Sequence, residues 1–338
     1  MGNHVADIGP AVAEVNRAYG RPAMVAGLTD PDRLWAVGAT GVRRLGEAAP
    51  VTVADPFHIG SITKPMSSMV IASLVEQKLL AWTTTPAELF PEAAAGMHPR
   101  LRDTTIAALL SHRSGLAGFT TAGEWTAFAG WDDPPTGQRE RFAHRVLAAP
   151  PATSPGEVLY SNAGYTVAAA MAERVTGRAW EDMFRAHLLA PLRMYSAGFG
   201  WPAYAAADAP VGHLETDAGL RPVDEEKSIP PSPLLAAPGD THMSVADLAT
   251  FGRAYLNGML GRDAGIEPGV IRSLHRAVGL DEGDDPHLIF AGSAGTFFAV
   301  LIVRPVRRRA IAVMANAGDD DHRIGQVIDQ LVEIVTRA

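Results

Sequence analysis

Residues 57–70 read FHIGSITKPMSSMV, with Ser61 and Lys64 three positions apart at the head of a helical run. Residues i and i+3 share a helix face, with Cβ atoms about 5 to 6 Å apart, so the Lys64 amine can reach the Ser61 oxygen. A serine hydroxyl becomes a nucleophile only when a base removes its proton during attack. A lysine serves as that base only if burial or a neighbouring cation lowers its pKa from about 10.4. Protonated, it can instead hold a nearby phenol as phenolate. The helix start aims backbone N–H groups at a reacting carbonyl oxygen, and Pro65 is tolerated there because a first-turn proline costs little. Ser-x-x-Lys by itself arises by chance, so its meaning depends on the rest of the chain.

Working outward, residues 67–80, SSMVIASLVEQKLL, read as an apolar helix buried on most sides. Upstream, Val5, Ile8, Val12, Val15 and Tyr19 recur at helical spacing. AMVAGL and RLWAVGA then flank the turn sequence TDPD as a hairpin. Residues 84–235 are rich in helix formers broken by Pro and Gly. Clear helices are GYTVAAAMAERVTG, closed by Gly177, and WEDMFRAHLLAPL. A Pro-rich connector leads to SVADLATFGRAYLNG, with Ser244 as N-cap and Asp247 three residues on. GTFFAVLIV and AIAVMAN are strands joined by the basic turn RPVRRR, and a closing helix carries Ile324, Val327, Ile328, Leu331 and Val335 on one stripe. Asp319–Asp321 and His322 before that helix suit its dipole better than a metal ion. The predicted fold is α/β (α+β): an antiparallel sheet from both ends of the chain, flanked by helices, with an inserted helical domain. The expected division is 1–83 with 236–338 as the sheet domain and 84–235 as the helical domain, with the active site in the cleft between them.

The 338 residues are 47% hydrophobic and 20% charged, enough for a sizeable core. A net charge of −8 argues against nucleic acid as partner. With no cysteine there is no thiol nucleophile and no cysteine metal site. No run approaches the ~20 apolar residues of a membrane span, and the N-terminus lacks the pattern of a secretory signal, so the expectation is a cytoplasmic protein without cofactor or membrane partner. Oligomeric state is unreadable.

A second element lies about a hundred residues beyond Ser61, in PATSPGEVLYSNAGYTVAAAM, residues 151–171. Tyr160 offers a hydroxyl able to carry a proton if a cation lowers its pKa from about 10. Asn162 offers an amide donor for a substrate carbonyl. Alone, the pair reads equally well as a capped helix start with a core tyrosine.

FHIGSITKP, LLSHRSGL (109–116), PGEVLYSNAGY (155–165) and APGDTHMSVADLATFG (237–252) occur in order at family separations. Together they make the chain resemble the serine β-lactamase and penicillin-binding-protein superfamily. The likeness is to its class C-like branch, which includes family VIII carboxylesterases, DD-peptidases, D-aminopeptidases and acyltransferases. In class A enzymes the Ser-x-x-Lys pattern continues with Ser-Asp-Asn and Lys-Thr-Gly; here the second station is Tyr160-Ser161-Asn162. The resemblance implies Ser61 as nucleophile, Lys64 as its partner, Tyr160 as general base and Asn162 as a substrate contact. It places the third station at Phe290-Ala291-Gly292, with the N–H of Ser293 joining that of Ser61 in an oxyanion hole.

That station carries no Lys or His, so the cation that pairs with a substrate carboxylate in β-lactam and D-Ala-D-Ala recognition is missing. Phe290 resembles the Trp-x-Gly of some family VIII esterases. The segment before it shortens to GLDEGDDPH, in which His287 reads as part of a polar loop. His112 is expected to be structural, Asp240 has no assigned role, and Trp125, Trp131 and Trp201 are candidates for lining a pocket. The leading expectation is a serine acyl-enzyme hydrolase, esterase-like, acting on a small neutral ester or amide. Alternatives are an acyltransferase passing the acyl group to an amine or alcohol, a β-lactamase or DD-peptidase, and a non-catalytic binding module, which the Ser61, Lys64 and Tyr160 set disfavours.

Overall fold

The computed structural model describes residues 5–128, 130–280, 287–318 and 324–337, with side chains as far as 334. Asp319–Asp321, His322, the side chain of Val335 and most of the shortened segment before Phe290 (281–286) lie outside the described residues.

In chain order the strands are β1 (Ala6–Asp7), β2 (Ala23–Thr29), β3 (Leu34–Gly41), β4 (Phe57–His58), β5 (Gly198–Phe199), β6 (His213–Thr216), β7 (Gly219–Pro222), β8 (Thr241–Met243), β9 (Leu288–Ser293), β10 (Phe298–Arg304) and β11 (Arg309–Ala315). The main sheet runs β1-β3-β2-β11-β10-β9, so the N-terminal hairpin joins the C-terminal strands through β2 and β11. The hairpin strands pair antiparallel as expected, and the two-residue β1 adds a parallel pairing to β3. The basic turn after Arg304 closes β10 onto β11 as the alternation of apolar and charged runs requires.

Period-two alternation divides the sheet residues between two layers. Met24, Ala26 and Leu28 face the helices Gly9–Tyr19 and Ile324–Arg337, together with Val12, Val15, Ile328 and Leu331. Ala23 and Val25 face the larger core with Leu301 and Met314. There the helix Val245–Met259 presses close to the sheet: a Cβ on Gly252 would meet Leu301 Cδ1 at 2.7 Å. Ser244 caps that helix as expected, its side chain accepting from the Asp247 N–H.

The first helix is shorter than its apolar spacing suggests, since Val5 precedes it and is exposed. The helix after Ser61 spans Thr63–Glu76 and stops before Leu80, where Lys78 takes a positive φ of 62°. Between residues 84 and 235 the longest helices are Pro135–Ala148 and Asn162–Thr176, the latter ended by Gly177 at φ 66°. WEDMFRAHLLAPL is helical throughout with a π-helical centre, Arg185–Leu189. β5 and the β6–β7 hairpin interrupt this region, and β5 pairs with β8 beside β4. This small sheet places His58, three residues before Ser61, against His242 in register.

Candidate active site

Ser61 sits in a 3-10 turn, Gly60–Ile62, immediately ahead of the helix Thr63–Glu76. The turn is one step earlier than a first-helical-turn placement, and it leaves the Ser61 N–H at the mouth of the helix, where N–H groups have no intrahelical acceptor. The edge strand β9 lies directly against it. A Cβ on Gly292 would fall 2.0 Å from the Ile59 carbonyl oxygen and 2.7 Å from Ser61 N, so only glycine allows the approach.

The ladder fixes the direction of the neighbouring N–H. Ala294 N donates to Phe297 O, and strict alternation then makes Ser293 and Phe298 a pair without hydrogen bonds. The Ser293 N–H therefore points away from β10, off the sheet edge and toward the Ser61 turn.

Two side chains converge on the Ser61 oxygen. Lys64 Nζ lies 3.1 Å from Ser61 Oγ and 2.7 Å from the Pro238 carbonyl oxygen. The Tyr160 hydroxyl donates to Ser61 Oγ at 2.6 Å. Lys64 is only 4% exposed, and burial pulls its pKa down to about 7. Tyr160 moves the other way. Desolvation of its hydroxyl pushes the phenol above its ordinary value, outweighing the hydrogen bond to Ser61, although part of the ring remains exposed. The phenol is thus shifted up and the amine down, and Lys64 Nζ lies over the Tyr160 ring, 4.7 Å from its centroid.

His112 is closer to the chemistry than its sequence context suggests. It takes a φ of 61°, its ring stacks on Tyr160 at 4.6 Å, and its Nδ1 accepts from the Ser161 N–H at 3.0 Å. Burial, with the nearby Lys64 charge, lowers its pKa to about 4, so the ring is neutral at neutral pH and acts as packing. Asn162 begins the helix Asn162–Thr176, and its side-chain amide donates to the Phe119 carbonyl at 2.7 Å.

Two cavities meet at Ser61. One, of about 320 Å³, is apolar and is lined by Lys64, Tyr160, Tyr255, Leu274, Ile289 and Phe290. The Phe290 ring packs edge-on against Tyr255 at 5.2 Å, filling the place where the resemblance expects a cation. The other, of about 540 Å³, is more polar and includes His58, Trp125, Asn162, Trp201, Asp240 and Ser293. Of the three candidate tryptophans, Trp131 lies elsewhere, against Phe128 and beneath Arg141. His287 stands exposed just before β9 and lines neither cavity.

Sequence reasoning missed His58 and left Asp240 without a role; both line the polar cavity, and no spacing rule links residues 182 positions apart. Among the described residues, Glu92, Glu140 and His144 gather with ligand atoms within 4.8 Å of one another. That group borders neither cavity at Ser61, and Arg174 already pairs with Glu92.

Residues 10–332 match the family model described as Beta-lactamase. The chain belongs to the beta-lactamase family. Its members are serine hydrolases and acyl transferases. Penicillin-binding protein 4 of Amycolatopsis lactamdurans is 29% identical over 245 residues, 71% of this chain and 59% of the relative. The unguisins hydrolase ungD of Aspergillus violaceofuscus is 27% identical over 254 residues, 73% of this chain and 44% of the relative. The chain thus spans about half the length of these curated relatives. A class C beta lactamase from Rhodobacter sphaeroides shares the fold, with a TM-score of 0.75 at 17% identity, covering 96% of this chain and 99% of that one. Among the described residues, no helix is long and apolar enough to cross a membrane.

Proposed function

We propose that this member of the beta-lactamase family is a serine acyl-enzyme hydrolase acting on a small neutral ester or amide. The observation that carries the reading is the convergence of Lys64 Nζ and the Tyr160 hydroxyl on one oxygen, Ser61 Oγ, where the two cavities meet. Neutral Lys64 takes the Ser61 proton as Oγ attacks the substrate carbonyl carbon. The tetrahedral oxyanion accepts from the N–H groups of Ser61 and Ser293, the kind of fixed donors that stabilise charge as it develops. Tyr160 gives its proton to the leaving heteroatom and recovers one from the Lys64 ammonium. Water then attacks the acyl-Ser61 ester with the proton transfers reversed, releasing the acid.

Tyr160 borders the apolar cavity, so the leaving group occupies that side and the acyl group the polar side, beside Asn162. Phe290 in place of a cation disfavours substrates that need a carboxylate partner, which sets β-lactams and D-Ala-D-Ala peptides behind neutral esters. The relative described as an unguisins hydrolase supports a hydrolytic outcome. Transfer of the acyl group to an amine or alcohol shares the acylation half.

The test incubates wild type and Ser61→Ala with p-nitrophenyl esters, a chromogenic cephalosporin and a D-Ala-D-Ala peptide, following intact mass. Expected are ester turnover and an acyl adduct that Ser61→Ala lacks. Absence of both from the wild type sinks the proposal. Adding hydroxylamine separates the two fates of the acyl group: transfer outrunning hydrolysis at dilute acceptor makes the protein a transferase.

A further inference from the structure

The turn that carries Ser61 is held from below by a buried pair of side chains. Asp240 Oδ1 lies 3.2 Å from His58 Nε2, and Asp240 Oδ2 accepts from the Ser232 N–H at 2.8 Å. On the other side of the ring, His58 Nδ1 accepts from the Gly60 N–H at 3.1 Å. His58 and Asp240 are 3% and 7% exposed, and Trp201 covers the His58 ring at 4.8 Å between centroids.

These contacts fix the tautomer. A ring nitrogen that accepts from a backbone N–H carries no proton, so Nδ1 is bare and Nε2 holds the hydrogen. Both Asp240 oxygens then accept, one from His58 and one from Ser232, and every contact of the pair joins a donor to an acceptor. Gly60 is the residue that needs this control. Its φ is 51°, and a Cβ on it would fall 2.6–2.7 Å from the Ser293 backbone. Gly60 is thus wedged between His58 and Ser293, immediately before the nucleophile. Two residues before Asp240, the Pro238 carbonyl accepts from Lys64, so the same short segment anchors the lysine.

We infer that His58 and Asp240 are a positioning dyad, in which Asp240 selects the His58 tautomer and His58 holds Gly60 so that the Ser61 and Ser293 N–H groups face one oxyanion. The inference rests on the acyl-enzyme reading of Ser61, but its first prediction does not.

Asp240→Asn is the diagnostic change. The Ser232 N–H keeps the amide oxygen on its side, which turns the Asn NH2 toward His58 Nε2. Nε2 must then accept, the proton moves to Nδ1, and Nδ1–H points at the Gly60 N–H, donor against donor. His58→Asn removes the conflict, because its side-chain oxygen sits near the Nδ1 position and accepts from Gly60 whatever stands at 240.

The experiment has two arms. In the first, long-range 1H–15N NMR reads the His58 tautomer in the full chain: Nε2–H is expected in the wild type and Nδ1–H in Asp240→Asn. Nδ1–H in the wild type overturns the inference whether or not the enzyme turns over. In the second, kcat/KM for p-nitrophenyl ester hydrolysis is measured across the cycle, with melting curves to confirm folding. Asp240→Asn is expected to fall about 100-fold, the scale of one oxyanion donor lost, with KM little changed. His58→Asn is expected to keep most of the wild-type kcat/KM, and the His58→Asn, Asp240→Asn double variant is expected within about threefold of it, which is rescue from the Asp240→Asn loss. Wild-type activity in Asp240→Asn, or losses that multiply in the double variant, overturns the inference. A wild type without ester turnover or Ser61 adduct counts instead against the proposed hydrolase, and the tautomer arm still decides the dyad.

Discussion

Lys64 Nζ lies over the face of the Tyr160 ring, 4.7 Å from its centroid, while both residues direct their polar atoms at Ser61 Oγ. A cation on the ring face differs from one bonded to the phenolic oxygen: it meets the π quadrupole and does not make the hydroxyl a better base. The buried amine is the group moved toward neutrality. In the proposed reaction this division assigns proton acceptance to Lys64 and donation to the leaving group to Tyr160.

The pH dependence follows from that division. Lys64 has its pKa lowered to about 7 by burial, so the fraction in the basic, unprotonated form falls as pH drops through that value. Initial-rate measurements of kcat/KM from pH 5 to 9 are expected to rise along a single limb with an apparent pKa near 7. Tyr160, shifted upward, contributes no falling limb in that range. Lys64→Arg, which cannot deprotonate, is expected to lose the limb with most of the activity; a limb of unchanged position in that variant excludes Lys64 as its source.

Tyr160→Phe removes one oxygen and little else. The ring keeps its stacking with His112 and its contact with Lys64, so the thermal midpoint is expected to change little. Loss of a positioned proton donor costs typically about 10²- to 10⁴-fold, and kcat for esters with poor leaving groups is expected to fall that far. Esters whose leaving group needs no proton are expected to lose less. Equal losses across leaving groups argue that Tyr160 acts elsewhere in the reaction.

The parts of the site written into one short segment are legible in the sequence. Ser61 and Lys64 share a helix start, Tyr160 and Asn162 share another, and the family likeness marks Gly292 as part of the third station. The fold is legible for a similar reason, since period-two runs at both chain ends need each other to form a sheet. What stays hidden depends on distant residues meeting. His58 gives no local signal, and its partner Asp240 lies across the small β4-β8-β5 sheet. The direction of the Tyr160 shift cannot be read from its motif, because desolvation depends on what surrounds the hydroxyl. Trp131 offers the same composition cue as Trp125 and Trp201, and only tertiary packing separates them.

Gly292→Ala tests the contact between β9 and the nucleophile turn. The added Cβ would meet the Ile59 carbonyl oxygen at 2.0 Å and Ser61 N at 2.7 Å, and both obstacles are backbone, so strand and turn must separate. Separation pulls the Ser293 N–H from the Ser61 N–H. Acylation followed by intact mass is expected to slow at least about 100-fold alongside a lowered melting temperature. Near-native acylation shows that these two backbones need not touch for catalysis.

Phe290→Lys restores a cation at the strand position bordering the apolar cavity. The stem can cover part of the surface left by the ring while the amine reaches toward the cavity mouth. KM for carboxylate-bearing substrates such as a cephalosporin is expected to fall by about tenfold, the effect of ~1.4 kcal/mol, while neutral esters bind less well for want of the Phe290–Tyr255 wall. Unchanged preference between the two substrate classes excludes Phe290 as the selecting residue.

Arg139 ties the helical region to the wall of the polar cavity. Its guanidinium is fully buried and bonds Glu173 at 2.6 Å, Glu181 at 2.9 Å and the Pro233 carbonyl at 2.8 Å. Glu173 also accepts from the Trp180 N–H, so one cluster joins three helices to the 229–235 segment that lines the polar cavity. Arg139→Met keeps the volume but leaves Glu173 buried without its cation, a loss of about 3 to 5 kcal/mol for a broken buried pair. Urea unfolding is expected to show that loss, and Arg139→Met with Glu173→Leu is expected to recover part of it, since the buried Glu173 charge is then gone while Glu181 keeps some access to water. The double variant still lacks the bond to Pro233, so its KM for esters with a bulky acyl group is expected to stay raised while kcat returns. Recovery of KM together with stability separates Arg139 from the cavity and leaves it a folding residue alone.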